Sequence, residues 1–353
     1  MEVKKIEPAK IKPIILLVDL WNVMIGLNAV SNVLDDNSNQ IGMYLGTMGM
    51  IRMLVDKYHP VKVILAMDGP NAGEARRKLY PGYKGGSYVK AKTSSVKIRE
   101  GDEPDEYTEY TSQEAFTSQL GRIHDFVKTL PISIVIVPYC EADDLISHMV
   151  LRNKDQYNCM IVSGDKDYCQ LIQPGITVYN WREKILYDEK TFVSRFKIIP
   201  QNYIFMKILL GDSSDQIKGV KGIGKKTFPV FYDLLNSQVY NNVGEFVEAT
   251  KTMALDHLST RERNAIKAIW SDEAVENMFL LYRVMHLDDN YLKLHQIDIL
   301  RQQIEEQNPR LCSRMSAIIM MQKHQFNKLY SGFDKDKWIQ PFVFLRPNVI
   351  INI

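Results

Sequence analysis

The chain has 353 residues and a formal net charge of +2, with 45% hydrophobic and 24% charged residues. These are the proportions of a folded globular protein of one large or two modest domains, so any affinity for nucleic acid must come from local rather than overall charge. Its four cysteines show no C-x-x-C spacing, and no apolar run approaches transmembrane length, which predicts reduced thiols and a soluble, cytoplasmic protein without a membrane.

The first apolar run, residues 14–18, ends in Asp19 followed by Trp21 and Asn22, so it reads as a strand and not as a signal peptide. Runs at 61–67, 132–137 and 159–163 are also rich in Ile and Val with little alternation, as in strands buried on both faces of a parallel sheet. Helical stretches at 43–58, 112–129 and 142–153 lie between them. This alternation predicts an α/β fold, three layers (α/β/α) around a mainly parallel sheet with right-handed crossovers. Residues 177–187 predict a hairpin closing one edge. From about residue 201 the chain reads as mainly helical, at 201–210, 227–235, 261–270 and 302–330. The expected division is an α/β domain over 1–200 and a helical region over 201–353, with a helix–turn–helix near 208–235 and a C-terminal tail.

One excursion breaks the rhythm. Residues 74–99 carry Arg76, Arg77, Lys78, Lys84, Lys90, Lys92, Lys97 and Arg99 against the single acid Glu74, whereas 100–114 carry seven acids and no base. A connection this long is usually functional or disordered. Its polarity, with Tyr80, Tyr83 and Tyr88 in the basic half, suits an element that grips a polyanion.

Nine acids fall in five clusters, most of them just after the predicted strands: Asp19; Asp68; Glu141, Asp143 and Asp144; Asp165 and Asp167; Asp212 and Asp215. Ligands of open parallel sheets bind at the carboxyl ends of the strands, so these groups should converge. Such a charge density needs a cation, and hard oxygen donors suit Mg²⁺ or Mn²⁺. Helix capping accounts for any one of these aspartates, but poorly for all five clusters. Two ions about 4 Å apart would clamp an in-line displacement at phosphorus, so the expected chemistry is phosphodiester hydrolysis. The seven scattered histidines offer no competing site.

Directly after Asp212 and Asp215 comes a glycine turn, Gly219-Val220-Lys221-Gly222-Ile223-Gly224-Lys225-Lys226-Thr227. It lacks the spacing of a nucleotide P-loop and the strand before it. Tight glycines, free backbone N–H groups and lysines instead suit a grip on a phosphate backbone without base readout.

The order V-D-x-x-N (18–22), M-D-G (67–69), R-x-x-x-Y-P-x-Y-K (76–84), E-A-D-D, S-G-D-K-D, G-D-S-S-D and G-V-x-G-I-G-x-K-T resembles the 5′-nuclease family over residues 14 to about 290. That family includes flap endonucleases, the 5′-exonuclease domain of bacterial DNA polymerase I and phage exonucleases; the length and helical tail are most similar to the T-even-type phage ribonuclease H. The resemblance implies a PIN-like fold and two Mg²⁺ ions, replaceable by Mn²⁺. It implies Asp19, Asp68, Glu141 and Asp143 as ligands of the first ion and Asp165, Asp167 and Asp215 of the second, with Asp144 and Asp212 bridging or outside. By the same resemblance Lys84 and Arg76 belong to a helical arch, about 74–114, and reach the scissile phosphate. Arg77, Lys78 and Lys90 would add charge there, and Tyr83 would stack on a displaced base. Gly222, Gly224, Lys225, Lys226 and Thr227 would hold duplex, with K⁺ on the turn's carbonyls. Ser87, Gln216 and Lys218 depart from the family pattern without touching a ligand.

The implied activity is 5′→3′ exonuclease and flap endonuclease cleavage of RNA or DNA strands annealed to DNA, leaving 3′-hydroxyl and 5′-phosphate ends. The implied task is removal of RNA primers in phage replication, in the host cytoplasm. Substrates would be branched or nicked DNA and RNA/DNA duplexes with a free 5′ end, acted on by a monomer, with single-strand binding protein or a sliding clamp as partners. A non-catalytic nucleic-acid-binding protein on the same scaffold is the alternative, although every expected carboxylate is present. Residues 338–345 (WIQPFVFL) read as a late strand packed on the domain, or else as a docking tail.

Overall fold

Six strands form one sheet in the order β3-β2-β1-β4-β5-β6: β1 (Ile14–Asp19), β2 (Lys62–Asp68), β3 (Ile132–Val137), β4 (Asn158–Val162), β5 (Ile176–Asn180) and β6 (Ile185–Tyr187). The computed structural model describes residues 12–28, 33–84, 113–308, 311–326, 334–346 and 348–353. Lys90 and the excursion beyond Lys84 up to residue 112 lie outside the described residues.

The first five strands are parallel, and only β6 runs antiparallel, as the expected hairpin with β5. The apolar runs explain why. Along β1, Ile15 and Leu17 enter one core while Leu16 and Val18 enter the other, and none of the four is exposed to solvent. Helices therefore cover both faces. One face receives the helix Ala142–Asn153 and the helical region from 200 to about 307; the other receives Leu20–Asn28, Gly42–Tyr58, Gln113–Val127 and the later helices from Arg314. The order reverses at β1, which pairs with β2 on one side and β4 on the other, so the crevice beyond their carboxyl ends is the switch point of the sheet. Among the described residues no helix is long and apolar enough to cross a membrane.

The C-terminal half departs from the expected elements in three places. Of the run at 302–330, the described residues form the end of one helix, Leu294–Gln307, and a second, Arg314–Lys323; a proline in the sequence between them disfavours one continuous helix. The helix–turn–helix is instead the helix Tyr203–Leu210, a two-stranded ribbon (β7, Gly211–Asp212; β8, Ile217–Lys218), the glycine turn, a 3₁₀ turn Phe228–Phe231 and a short helix Tyr232–Ser237. Pro229 supplies no N–H, which favours the tighter turn at that point. The tail is a helix, Lys335–Ile339, and a 3₁₀ turn, Gln340–Phe344, rather than a strand. It does pack: Trp338, Ile339, Phe342 and Leu345 are buried in the second core, with Trp338 against Phe326 at 4.9 Å between ring centroids.

The open edge at β3 is closed by side chains. Gln307 accepts from Ile134 N–H at 3.0 Å and donates to its carbonyl at 2.9 Å, and Gln303 does the same for Ile136 at 2.9 and 2.8 Å. One helical turn apart, the two amides mimic a neighbouring strand and cap an edge that would otherwise pair with another chain. Replacing both with Ala should lower stability by about 1–3 kcal/mol and produce concentration-dependent association. Denaturation midpoints and light scattering would check this; an unchanged midpoint in a monodisperse variant would mean that water satisfies the edge equally well.

Candidate metal centre

At the switch point lies a cavity of about 230 Å³ lined by Asp19, Asp68, Glu141, Asp143, Asp165 and Asp215, with Trp21, Asn22, Lys84, Tyr168 and Arg182 among the other walls. Each acid arrives by a strand end or the turn after it. Asp19 closes β1; its Oδ1 accepts from Asn22 N–H at 3.1 Å and its Oδ2 from the hydroxyls of Ser163 (3.0 Å) and Tyr168 (3.3 Å). Asp68 closes β2 and accepts from Ala142 N–H at 2.9 Å, which ties it to the start of the helix bearing Asp143. Asp165 follows β4 and accepts from Asp167 N–H at 2.9 Å.

The remaining three acids face two buried cations instead of lining the cavity. Arg76, 2% exposed, bonds Glu141 and grips Asp144 through both nitrogens, at 3.1 and 2.6 Å, while its Nε donates to the Val284 carbonyl at 2.9 Å. Asp144 also accepts from Glu141 N–H at 2.9 Å, its half of a capping box in which Glu141 is the N-cap. On the other side Lys207, from the helix Tyr203–Leu210, bonds Asp167 and reaches Asp212 at 2.6 Å.

Charge follows the balance between each acid's burial and the cation beside it. Burial opposes ionisation of Glu141, but Arg76 and Lys84 outweigh it and hold the carboxyl down to about 2. Asp212 is likewise lowered, against its burial, by Lys207. Others shift upward, and so does Asp144, where burial outweighs Arg76. Burial, reinforced by Asp68, pushes Asp19 up to about 6, and burial drives Asp215 up to about 6 and Asp143 well above the carboxylate range. Asp167 rises to about 7 through burial and the charge of Asp165, despite Lys207.

These residues fit a divalent cation. Asp143 Oδ1 is buried with no hydrogen-bond donor; its nearest cationic nitrogen, Arg76 Nη1, is 3.7 Å away. Carboxylate oxygens of Glu141, Asp143 and Asp144 lie within 4.8 Å of one another, as do those of Asp167, Asp212 and Asp215. The first group keeps one oxygen, Asp143 Oδ1, without a hydrogen bond. The second already carries an ammonium, which any ion there must share or displace.

A family model for the 5′-3′ exonuclease, N-terminal resolvase-like domain, matches residues 16–197. The chain belongs to the 5′-3′ exonuclease family. A 5′-3′ exonuclease of Buchnera aphidicola subsp. Baizongia pistaciae is 29% identical over 205 residues, 57% of this chain and 60% of that protein, so the chain spans less than two thirds of that relative. One from Halalkalibacterium halodurans is 25% identical over 227 residues, 61% of this chain and 68% of that protein. Among solved structures, the zinc-bound T5 5′-exonuclease superposes with a TM-score of 0.59 at 18% identity, covering 83% of this chain and 98% of that one. The bacteriophage T5 flap endonuclease with DNA and metal ions superposes at 0.55 and 17% identity, covering 90% and 100%. These two likenesses show the same fold.

Against the family pattern, the basic residues sort unevenly. Lys84 lines the cavity, with Nζ 2.5 Å from Glu141 Oε1, and its backbone, in the left-handed region (φ 47°), donates N–H to the Asp215 carbonyl at 3.2 Å. Arg76 departs from the expectation that it reaches a phosphate. It is a buried counterion beneath the acids, stacked on Tyr291 at 4.7 Å. Tyr83 departs as well: its ring is 3% exposed and its hydroxyl donates to Glu141, which leaves no face for a base. Arg77 is half-buried and donates to the Ala72 carbonyl at 2.9 Å, while the exposed Lys78 pairs with Glu74 at 2.6 Å. In the glycine turn Gly222, Gly224, Lys225 and Lys226 are exposed, Gly222 at φ 91°. Thr227 is buried and its hydroxyl accepts from Gly224 N–H at 2.9 Å, so this residue braces the turn from inside. Sequence reading missed Lys207, Tyr168, Ser163 and Asn22 as parts of the site. Only the polar Lys207 inside the apolar run YIFMKILL signalled itself in advance.

A stability test follows from the carboxyl shifts. Asp19 and Asp167 bind protons more tightly in the fold than their unfolded value of about 3.9 allows. Their burial penalty is therefore complete above pH 7 and is relieved as pH falls from about 7 towards 4. Each unit is worth about 1.4 kcal/mol, so the two together amount to several kcal/mol. In EDTA the melting temperature should rise from pH 8 to pH 5.5, and Mg²⁺ at pH 8 should recover that gain. A melting temperature that falls towards pH 5.5 would contradict the assignment.

Proposed function

We propose that this protein is a divalent-metal-dependent 5′-nuclease that hydrolyses phosphodiesters near the 5′ end of RNA or DNA strands annealed to DNA. The observation that carries the reading is the set of six carboxylates around one cavity, with a buried, donorless Asp143 Oδ1, faced by Lys84. Asp19, Asp68, Glu141 and Asp143 would hold the first ion, and Asp165 and Asp215, with Asp167, a second whose charge Lys207 partly replaces. A bound Mg²⁺ or Mn²⁺ supplies Lewis acidity at the phosphate and lowers the pKa of water. Lys84 then has a defined task. Its ammonium, now on Glu141, lies where it can turn to a non-bridging phosphate oxygen and stabilise the charge that builds there. Asp19, fixed by Asn22, Ser163 and Tyr168, keeps its geometry without rearrangement.

The exposed Gly222–Lys226 turn supports duplex binding behind the cut, with K⁺ on its carbonyls as an accessory. The proposed division is a nuclease domain over 1–200 and a duplex-holding region over 201–353, working as a monomer in the cytoplasm. Removal of RNA primers in phage replication, alongside single-strand binding protein or a clamp, is the proposed biological task. The test is purified protein with a 5′-labelled flap duplex and an RNA-primed DNA duplex, in Mg²⁺ and in EDTA. Short 5′ products that require Mg²⁺ are expected from at least one substrate. Tight binding without cleavage in Mg²⁺ or Mn²⁺ would make the protein a non-catalytic binder.

A further inference from the structure

The turn between β5 and β6 brings Arg182 to the wall of the acidic cavity, with Trp181 beneath it, on side chains that none of the foregoing chemistry uses. Both are held in place. Trp181 Nε1–H donates to Asn22 Oδ1 at 3.0 Å, and the same oxygen accepts from Gly164 N–H at 2.8 Å. The guanidinium lies over the indole at 4.8 Å. Two glycines make the bed. A Cβ on Gly26 would stand 2.3 Å from the Trp181 ring, and one on Gly164 would stand 2.6 Å from Arg182 Nε. The glycine of S-G-D-K-D thus has a reason, the close approach of this arginine.

Arg182 lines a cavity walled by six carboxylates, yet no ion pair among the described residues includes it. The neighbouring Glu183 is taken by Lys166 at 3.0 Å and Arg195 at 3.0 Å. Stacking and the glycine bed hold the fork at the rim rather than on the acids. A planar, permanently charged fork in that position matches a phosphate diester, which it can bind bidentately.

We propose that Arg182 binds a phosphate of the nucleic-acid strand next to the one being cut, and so sets how the strand enters the cavity. This rests on the nuclease reading above. The experiment compares wild type, Arg182→Ala and Arg182→Lys on the flap duplex in Mg²⁺, over a range of salt. Mn²⁺ calorimetry and thermal melts are run on the same preparations. Arg182→Ala should raise KM about tenfold with kcat within about threefold, and should flatten the log–log salt dependence of kcat/KM by about one. Lysine should restore the slope and only part of KM, because the fork is lost. Mn²⁺ affinity and melting should not move. An alanine variant with wild-type KM and salt slope, or one whose Mn²⁺ affinity falls in step with KM, would overturn the assignment. A wild type that cleaves nothing would overturn the nuclease reading and this inference with it.

Discussion

Asp143→Asn should lose at least about a hundredfold in turnover while folding and binding DNA much as wild type does. The carboxyl is held well above its usual range by burial, so removing its charge relieves the site instead of wounding it. What is lost is the vacant oxygen, since the amide offers one acceptor and brings an unwanted donor to an oxygen-rich cavity. Single-turnover cleavage, Mn²⁺ calorimetry and thermal melts read the three consequences separately. Asp144→Asn makes a useful contrast. Asp144 grips Arg76 and completes the capping box without lining the cavity, so its loss should appear first in stability. Full turnover by Asp143→Asn would sink the metal assignment.

Arg76→Ala should cost about 3–5 kcal/mol of stability, the largest effect expected of any single substitution in the site. The guanidinium is buried, and it is the shared counterion of Glu141 and Asp144. Without it Glu141 keeps Lys84, Asp144 stays buried with its counterion gone, and the Val284 carbonyl loses its donor. Lysine should not rescue the loss, because three acceptors in different directions need a fork. Saturating Mg²⁺ should raise the melting temperature of the variant more than that of wild type, since an ion in the cavity replaces part of the missing charge. Denaturant midpoints measure the first effect and melts with and without Mg²⁺ the second. A loss below about 1 kcal/mol would mean that the acids do not depend on Arg76.

The two expectations show how differently neighbouring charges behave. Arg76 and Lys207 are interior counterions to Glu141 and Asp144 and to Asp167 and Asp212. Lys84 and Arg182 stand at the cavity itself. In the sequence all four are basic residues near acidic motifs, and the family resemblance placed Arg76 with Lys84. Burial separates them, and burial of a charged residue is set by what packs over it.

The fold was largely legible because its signal is local. The β-branched runs ending in Asp19, Asp68 and Ser163 carry the mark of a doubly covered sheet, and the placement of acids just past them follows from parallel strands sharing one carboxyl edge. The helical half was less legible. Short helices such as Glu189–Phe196 and Val243–Lys251 are fixed by caps, Asp188 and Asn242, whose residue types also occur in ordinary turns.

By itself, then, the sequence determined the class of fold and the convergence of the acids at one edge, since strand period and chain order suffice for both. Tertiary structure alone decided which acids face the cavity and which face a cation, that Tyr83 and Thr227 turn inward, and that Arg182 lies open at the rim. The reason is physical. Side-chain direction and the desolvation of a charge depend on partners far away in the chain, such as Val284 against Arg76 and Asn22 against Trp181, and no local spacing encodes those meetings.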